Sequence, residues 1–61
     1  MTYSAQDKLE AVEREVRLRK QVYPNRVMTG RMKQGFADMQ IRIFEDIAED
    51  YRVKAEGERL L

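Results

Sequence analysis

Leu9, Val12 and Val16 recur at spacings of three and four residues, and Ala5 and Tyr23 fall in the same phase. At about 100° per residue these positions form one narrow stripe, which predicts an amphipathic helix over about residues 4–22. Ser4, followed three residues later by Asp7, resembles a capping box and sets the start. Glu10 with Arg14, Glu13 with Arg17, and Glu15 with Arg19 place an acid four residues before a base, and each pair is expected to support the helix. Pro24 lacks a backbone donor and biases Tyr23 away from helical geometry, so the first helix is expected to stop or kink there. Asn25 to Thr29 fit a short helical extension ended by Gly30, which can take the left-handed conformation that closes a helix. Residues 23–33 therefore read as a structured corner.

A second helical pattern begins at Met32 and runs through Phe36, Ala37, Met39, Ile41, Ile43, Phe44, Ile47, Ala48 and Tyr51 to Ala55, predicting a helix over about 34–58. Lys33 stands where a capping Ser or Thr is usual, so this start is weakly specified. Asp38 with Arg42, Asp50 with Lys54, and Glu49 with Arg52 are expected to pair along it. Its apolar positions span an arc of about 200°, whereas one antiparallel neighbour needs only about 100°. The first helix can cover half of that arc, expected to be the half with Phe44, Ile47, Ala48 and Tyr51. The other half, Met32, Phe36, Met39 and Ile43, is left as a contiguous apolar patch, and such patches on small proteins mark association sites.

Length sharpens this reading. A single core in 61 residues rarely contributes more than about 3–5 kcal/mol. With no Cys and no His, neither a disulfide framework nor the usual zinc ligands can supplement it. Oligomerisation remains. The expected fold is all-α: one domain over residues 1–61, a helical hairpin with a kinked corner at Pro24, pairing as a four-helix homodimer. Phe36, Met39, Ile43 and Ile47 are assigned to the dimer interface, and the alternative is a monomer that keeps this surface for its target.

Charge is unevenly spread although the net charge is only +1. Residues 14–33 carry seven basic groups against one acid, net +6, and residues 34–50 carry one base against five acids, net −4. The basic block around Tyr23 could contact phosphates while a base stacks on the ring, but three of its arginines have acidic partners at helical spacing. A solvated helix face is preferred, and nucleic acid is kept as the alternative partner. Glu45, Asp46, Glu49 and Asp50 could meet the basic block of a partner chain or a basic target. No apolar run is long enough for a membrane span and the opening residues lack a signal-peptide pattern, so an intracellular location is expected.

Catalysis is not expected. There is no Cys or His to serve as nucleophile or imidazole base and no glycine-rich phosphate loop. No cofactor or metal site is expected either, since a di-iron bundle needs a His three residues after a Glu. Interaction chemistry is better represented. Interfaces centre on aromatic, Met and Arg residues, which collect with aliphatic neighbours at Leu18, Val22, Tyr23, Arg26, Met28, Arg31 and Met32. These form the candidate partner-binding set, at the corner and on a second apolar edge of the first helix shared by Ala11, Leu18 and Val22. Scattered surface aliphatics are an equally good account of that edge.

Glu13-Arg14-Glu15-Val16, Val22-Tyr23-Pro24, Val27, Gly30-Arg31-Met32, Ala37-Asp38, Ile41, Ile47-Ala48 and Asp50-Tyr51-Arg52 together resemble a group of very small proteins encoded by transposable, Mu-like phages and their prophages. The likeness covers roughly residues 8–52. Its specific part is Tyr-Pro followed six residues later by Gly-Arg-Met. Lys33 departs from the Ser or Thr common in that group, so the start of the second helix is expected to differ from theirs. Some small early proteins of such phages are host-takeover factors that bind a LuxR-type quorum-sensing activator or the assembly ATPase of type IV pili. The resemblance therefore implies an inhibitor, or anti-activator, of a host regulatory or motor protein, acting in the bacterial cytoplasm. A structural or assembly role in the phage particle is a further possibility.

Overall fold

The computed structural model describes residues 2–60 and contains two helices, α1 (Ala5–Met28) and α2 (Gln34–Arg59), folded into an antiparallel hairpin of about 48 × 18 × 17 Å. No strand occurs among the described residues. The start of α1 follows from its sequence: Ser4 is extended, and its Oγ accepts the Asp7 N–H at 3.1 Å. The Ala5 N–H donates to Glu58 Oε1 at 3.2 Å. A residue from the far end of the chain thus satisfies a second orphan donor of the first turn.

The corner is shorter than the sequence implies, because α1 continues through Pro24 to Met28. Pro24 forfeits one helical hydrogen bond, and stopping at Tyr23 would forfeit more. The extension carries Val27 into a groove with Tyr23, Pro24, Ala37 and Ile41, where Val27 and Ile41 are half-buried and Ala37 is fully buried. Burial of apolar area at about 25 cal/mol per Å² favours keeping the added turn. The corner proper is 29–33, not 23–33.

Gly30 closes α1 with φ +79°. Its N–H donates to Val27 O, and the Arg31 and Met32 N–H groups both donate to Arg26 O, satisfying carbonyls that the helix end leaves unpaired. A Cβ at Gly30 would meet nothing within 4 Å. Gly30→Ala is therefore expected to cost about 1–2 kcal/mol from backbone strain alone, read as a Tm lower by several degrees; an unchanged Tm would show that the turn does not enforce this conformation. Lys33 is extended but makes no side-chain cap, so the start of α2 lacks the support that Ser4 gives α1.

Ala5–Glu58, Glu13–Arg52 and Lys20–Glu45 contacts set the register. In it Leu9 lies level with Ala55, Val16 with Ala48, and Val27 with Ala37. Ala5, Leu9, Val16, Ala37, Ala48 and Ala55 form the buried core. The α1 side is the expected stripe, with Val12 and Tyr23 half-buried at its margins. On α2 the seam runs along Ala37, Ile41, Phe44, Ala48, Tyr51 and Ala55, alternating by four and three residues like one face of a coiled coil. Its fully buried positions are all alanine. The hairpin is close-packed and thin, and none of the described large side chains is completely buried.

Candidate interaction surface

The α2 surface divides as its arc predicts. Phe44, Ala48 and Tyr51 turn toward α1, while Phe36, Met39 and Ile43 remain 49%, 49% and 44% exposed. Ile47 sits between the halves, half-buried at the edge rather than under α1. Met32, in the corner, is half-buried. The four residues assigned to a dimer therefore fall on one side of α2, within a single stripe that continues the helical spacing of Phe36, Met39, Ile43 and Ile47.

The second edge of α1 lies on that same side of the hairpin. The Arg19 guanidinium stacks on Phe44, 4.0 Å from the ring centroid, and Lys8 lies 5.7 Å from the centre of Tyr51. Both contacts cross the flank on which α2 turns toward Ile47 and Ile43. Arg19 also pairs with Glu15. The Glu15 hydrogen bond, with the nearby Tyr23 hydroxyl, holds the guanidinium pKa above its ordinary value, and Arg19 Nε is shielded from solvent without a hydrogen-bond partner. Arg19 thus acts as a flat, charged strut between the helices. Its i,i+4 acid was visible in the sequence; its stacking on Phe44 depends on the register between helices and was not.

The candidate binding residues separate into two places. Leu18, Val22, Tyr23 and Arg26 line one shallow shelf of about 170 Å³ along α1, together with Glu15 and Arg19. Leu18 is 50% exposed and Val22 half-buried. Tyr23 is shared, since it also lines the groove against Ala37 and Ile41. Met28 (83% exposed), the last residue of α1, and Arg31 and Met32, in the corner, are not on this shelf.

Charge pairing follows the register more than the helical spacing. Of the six expected pairs, Glu15–Arg19 and Glu49–Arg52 form, and the other four do not. Glu13 turns instead to Arg52 across the hairpin at 3.3 Å, Lys20 reaches Glu45 at 3.0 Å, Glu10 accepts from Gln6, and Asp38 accepts from Gln34. The two that cross the hairpin, Glu13–Arg52 and Lys20–Glu45, were not legible without knowing which α1 residue lies level with which α2 residue. Of the four clustered acids of α2, Glu45 is used across the hairpin and Glu49 within α2, leaving Asp46 and Asp50 without an ion pair among the described residues.

Between the helices a groove of about 400 Å³ is lined by Glu13, Val16, Arg17, Glu45, Ala48, Glu49 and Arg52. Its floor is Val16 and Ala48 and its rims are the paired Glu13, Glu45, Glu49 and Arg52 together with Arg17, so it is a solvent-facing seam. No group of three acidic side chains that could hold a metal ion occurs among the described residues, and no helix is long and apolar enough to cross a membrane. What the surface offers chemically is apolar contact bordered by arginine. No protein-family model matches the chain, and neither a curated protein nor a solved structure is significantly similar to it.

Proposed function

We propose that this chain is a non-enzymatic binding protein: a helical hairpin, bent at Pro24, that pairs through α2 as a four-helix homodimer and inhibits a host protein through the corner and outer edge of α1. The observation that carries the reading is the apolar stripe of Phe36, Met39 and Ile43, each nearly half exposed in a hairpin whose own core is built on alanines. A core this thin gains most from a second molecule laid on that stripe. The shelf holding Leu18, Val22 and Arg26 then remains available on each copy, and it has the composition from which interface centres are made. Inhibition follows if the shelf covers a functional surface of its target or favours an inactive state.

The target class rests on the phage-protein resemblance of residues 8–52: a LuxR-type quorum-sensing activator or the type IV pilus assembly ATPase, met in the bacterial cytoplasm. Leu18→Asp tests it. Purified activator and purified ATPase are each presented to immobilised wild type and variant. Wild type is expected to retain one of them, with affinity reduced roughly tenfold or more by the substitution while the variant stays dimeric. Equal retention of both forms would remove the shelf from the proposal, and retention of neither protein would remove these targets. Five cations of the basic block, Arg14, Arg17, Arg26, Arg31 and Lys33, have no ion pair among the described residues. Retention of duplex DNA that falls steeply with salt would replace the reading with the nucleic-acid alternative.

A further inference from the structure

Two helices can share an apolar stripe in parallel or antiparallel fashion, and the charges beside this stripe distinguish the two. At its N-terminal end stand Arg31 and Lys33, exposed and without ion-pair partners among the described residues. At its C-terminal end stand Asp46 and Asp50, likewise exposed and unpaired. Lys54, beyond them, lies 5.5 Å from the centre of the Tyr51 ring. With Lys54 counted, the stripe is net positive at one end and net negative at the other, with Phe36, Met39 and Ile43 between.

From these charges we infer that the open face of α2 is occupied by a second copy of this chain running antiparallel, about a two-fold axis near Ile41 and Arg42, so that the basic corner of each copy lies against Asp46 and Asp50 of the other. The inference rests on the dimer proposed above and specifies its geometry. Phe36, Ile43 and Asp50 are successive residues of one heptad position. In a parallel pair, two copies of Asp50 would meet in the seam, and Lys33 would also lie beside its own copy; like charges so placed are repulsive. With the axis midway along the apolar stripe, Phe36 falls level with Ile47 of the other copy and Lys33 with its Asp50. A single stripe is then self-complementary in charge, as an isologous interface requires.

Charge exchange discriminates the two orientations. Arg31→Glu with Lys33→Glu makes both ends of the stripe acidic, and Asp46→Lys with Asp50→Lys makes both ends basic. Each double variant is expected to weaken dimerisation by roughly tenfold or more, because attraction at both ends becomes repulsion. The quadruple variant, with the signs exchanged end for end, is expected to recover it. In a parallel dimer none of the three would lose affinity, since like ends already face like ends.

A distance measurement serves as the independent check and does not rely on the charge variants folding. The chain has no Cys, and Val53 is exposed on α2, so Val53→Cys accepts a single spin label. Antiparallel pairing about residues 41–42 separates the two labels by roughly 35 Å at 1.5 Å rise per residue, whereas parallel pairing holds them within about 20 Å. A dimer with the short distance would overturn the orientation and leave the dimer standing. A monomer by sedimentation would overturn both.

Discussion

Ile43→Asp is expected to convert the proposed dimer to a monomer. Ile43 lies in the middle of the open stripe and is 44% exposed in the isolated hairpin, so the hairpin itself tolerates a carboxylate there. In the paired state the same carboxylate is enclosed between two apolar faces without a counterion. Leaving a buried charge unpaired costs about 3–5 kcal/mol, which is more than a hundredfold in dissociation constant. In the proposed two-fold pairing the seam would contain two such groups close to the axis. Light scattering and sedimentation velocity read the mass directly.

Thermal melting gives a second readout. Association stabilises the folded state by mass action, so the wild-type Tm is expected to rise with protein concentration. The Ile43→Asp Tm should be lower and independent of concentration. A variant that remains dimeric would show that the stripe of Phe36, Met39 and Ile43 is not the seam, and the orientation inferred from its charges would fall with it.

The sequence-based reading of the fold succeeds where the responsible physics is local. Ser4 caps the helix that follows it because a hydroxyl three residues before an orphan N–H is within reach whatever the rest of the chain does. Gly30 takes its positive φ for an equally local reason. The stripe of Leu9, Val12 and Val16 required only helical period. As a stop signal Pro24 misled, because the penalty for Pro in a helix is local while the compensation, a groove that Val27 shares with Ala37 and Ile41, comes from the other helix. Glu13 misled in the same way: its i,i+4 partner Arg17 lost to Arg52, which the fold brings alongside.

The division of α2 was legible in width but not fully in kind. Its total apolar arc showed that one neighbour could not cover it. Only the register reveals that the covered half is floored by Ala37, Ala48 and Ala55 while the bulkier Phe36, Met39 and Ile43 are left outside. Small residues allow the two helix backbones of the hairpin to approach closely, and the larger ones suit contacts made beyond it. The candidate binding set was likewise found by residue type and then divided by geometry. Leu18, Val22, Tyr23 and Arg26 share a shelf because they lie within eight positions of one continuous helix, whereas Gly30 directs Arg31 and Met32 away from it.

An alanine-floored seam makes its few large side chains critical, and Leu9→Ala is expected to unfold most of the hairpin. Leu9 is 7% exposed and lies level with Ala55, which contributes only a methyl group from the opposite helix. Truncation would leave alanine facing alanine at this level of the seam. Leu→Ala at a buried site costs about 2–5 kcal/mol, comparable to the roughly 3–5 kcal/mol that one core of this size supplies. Far-UV circular dichroism at room temperature should show much of the helical signal gone at concentrations low enough to disfavour association. Leu18→Ala provides the matched control, since the same atoms are removed from the same helix at a position 50% exposed. Its cost is expected below about 1 kcal/mol, with helicity retained. If both variants melt alike, burial along Ala5, Leu9 and Val16 does not hold the helices together. If only Leu9→Ala collapses, and high protein concentration partly restores its helicity, the hairpin core and the surface beyond it share one folding equilibrium.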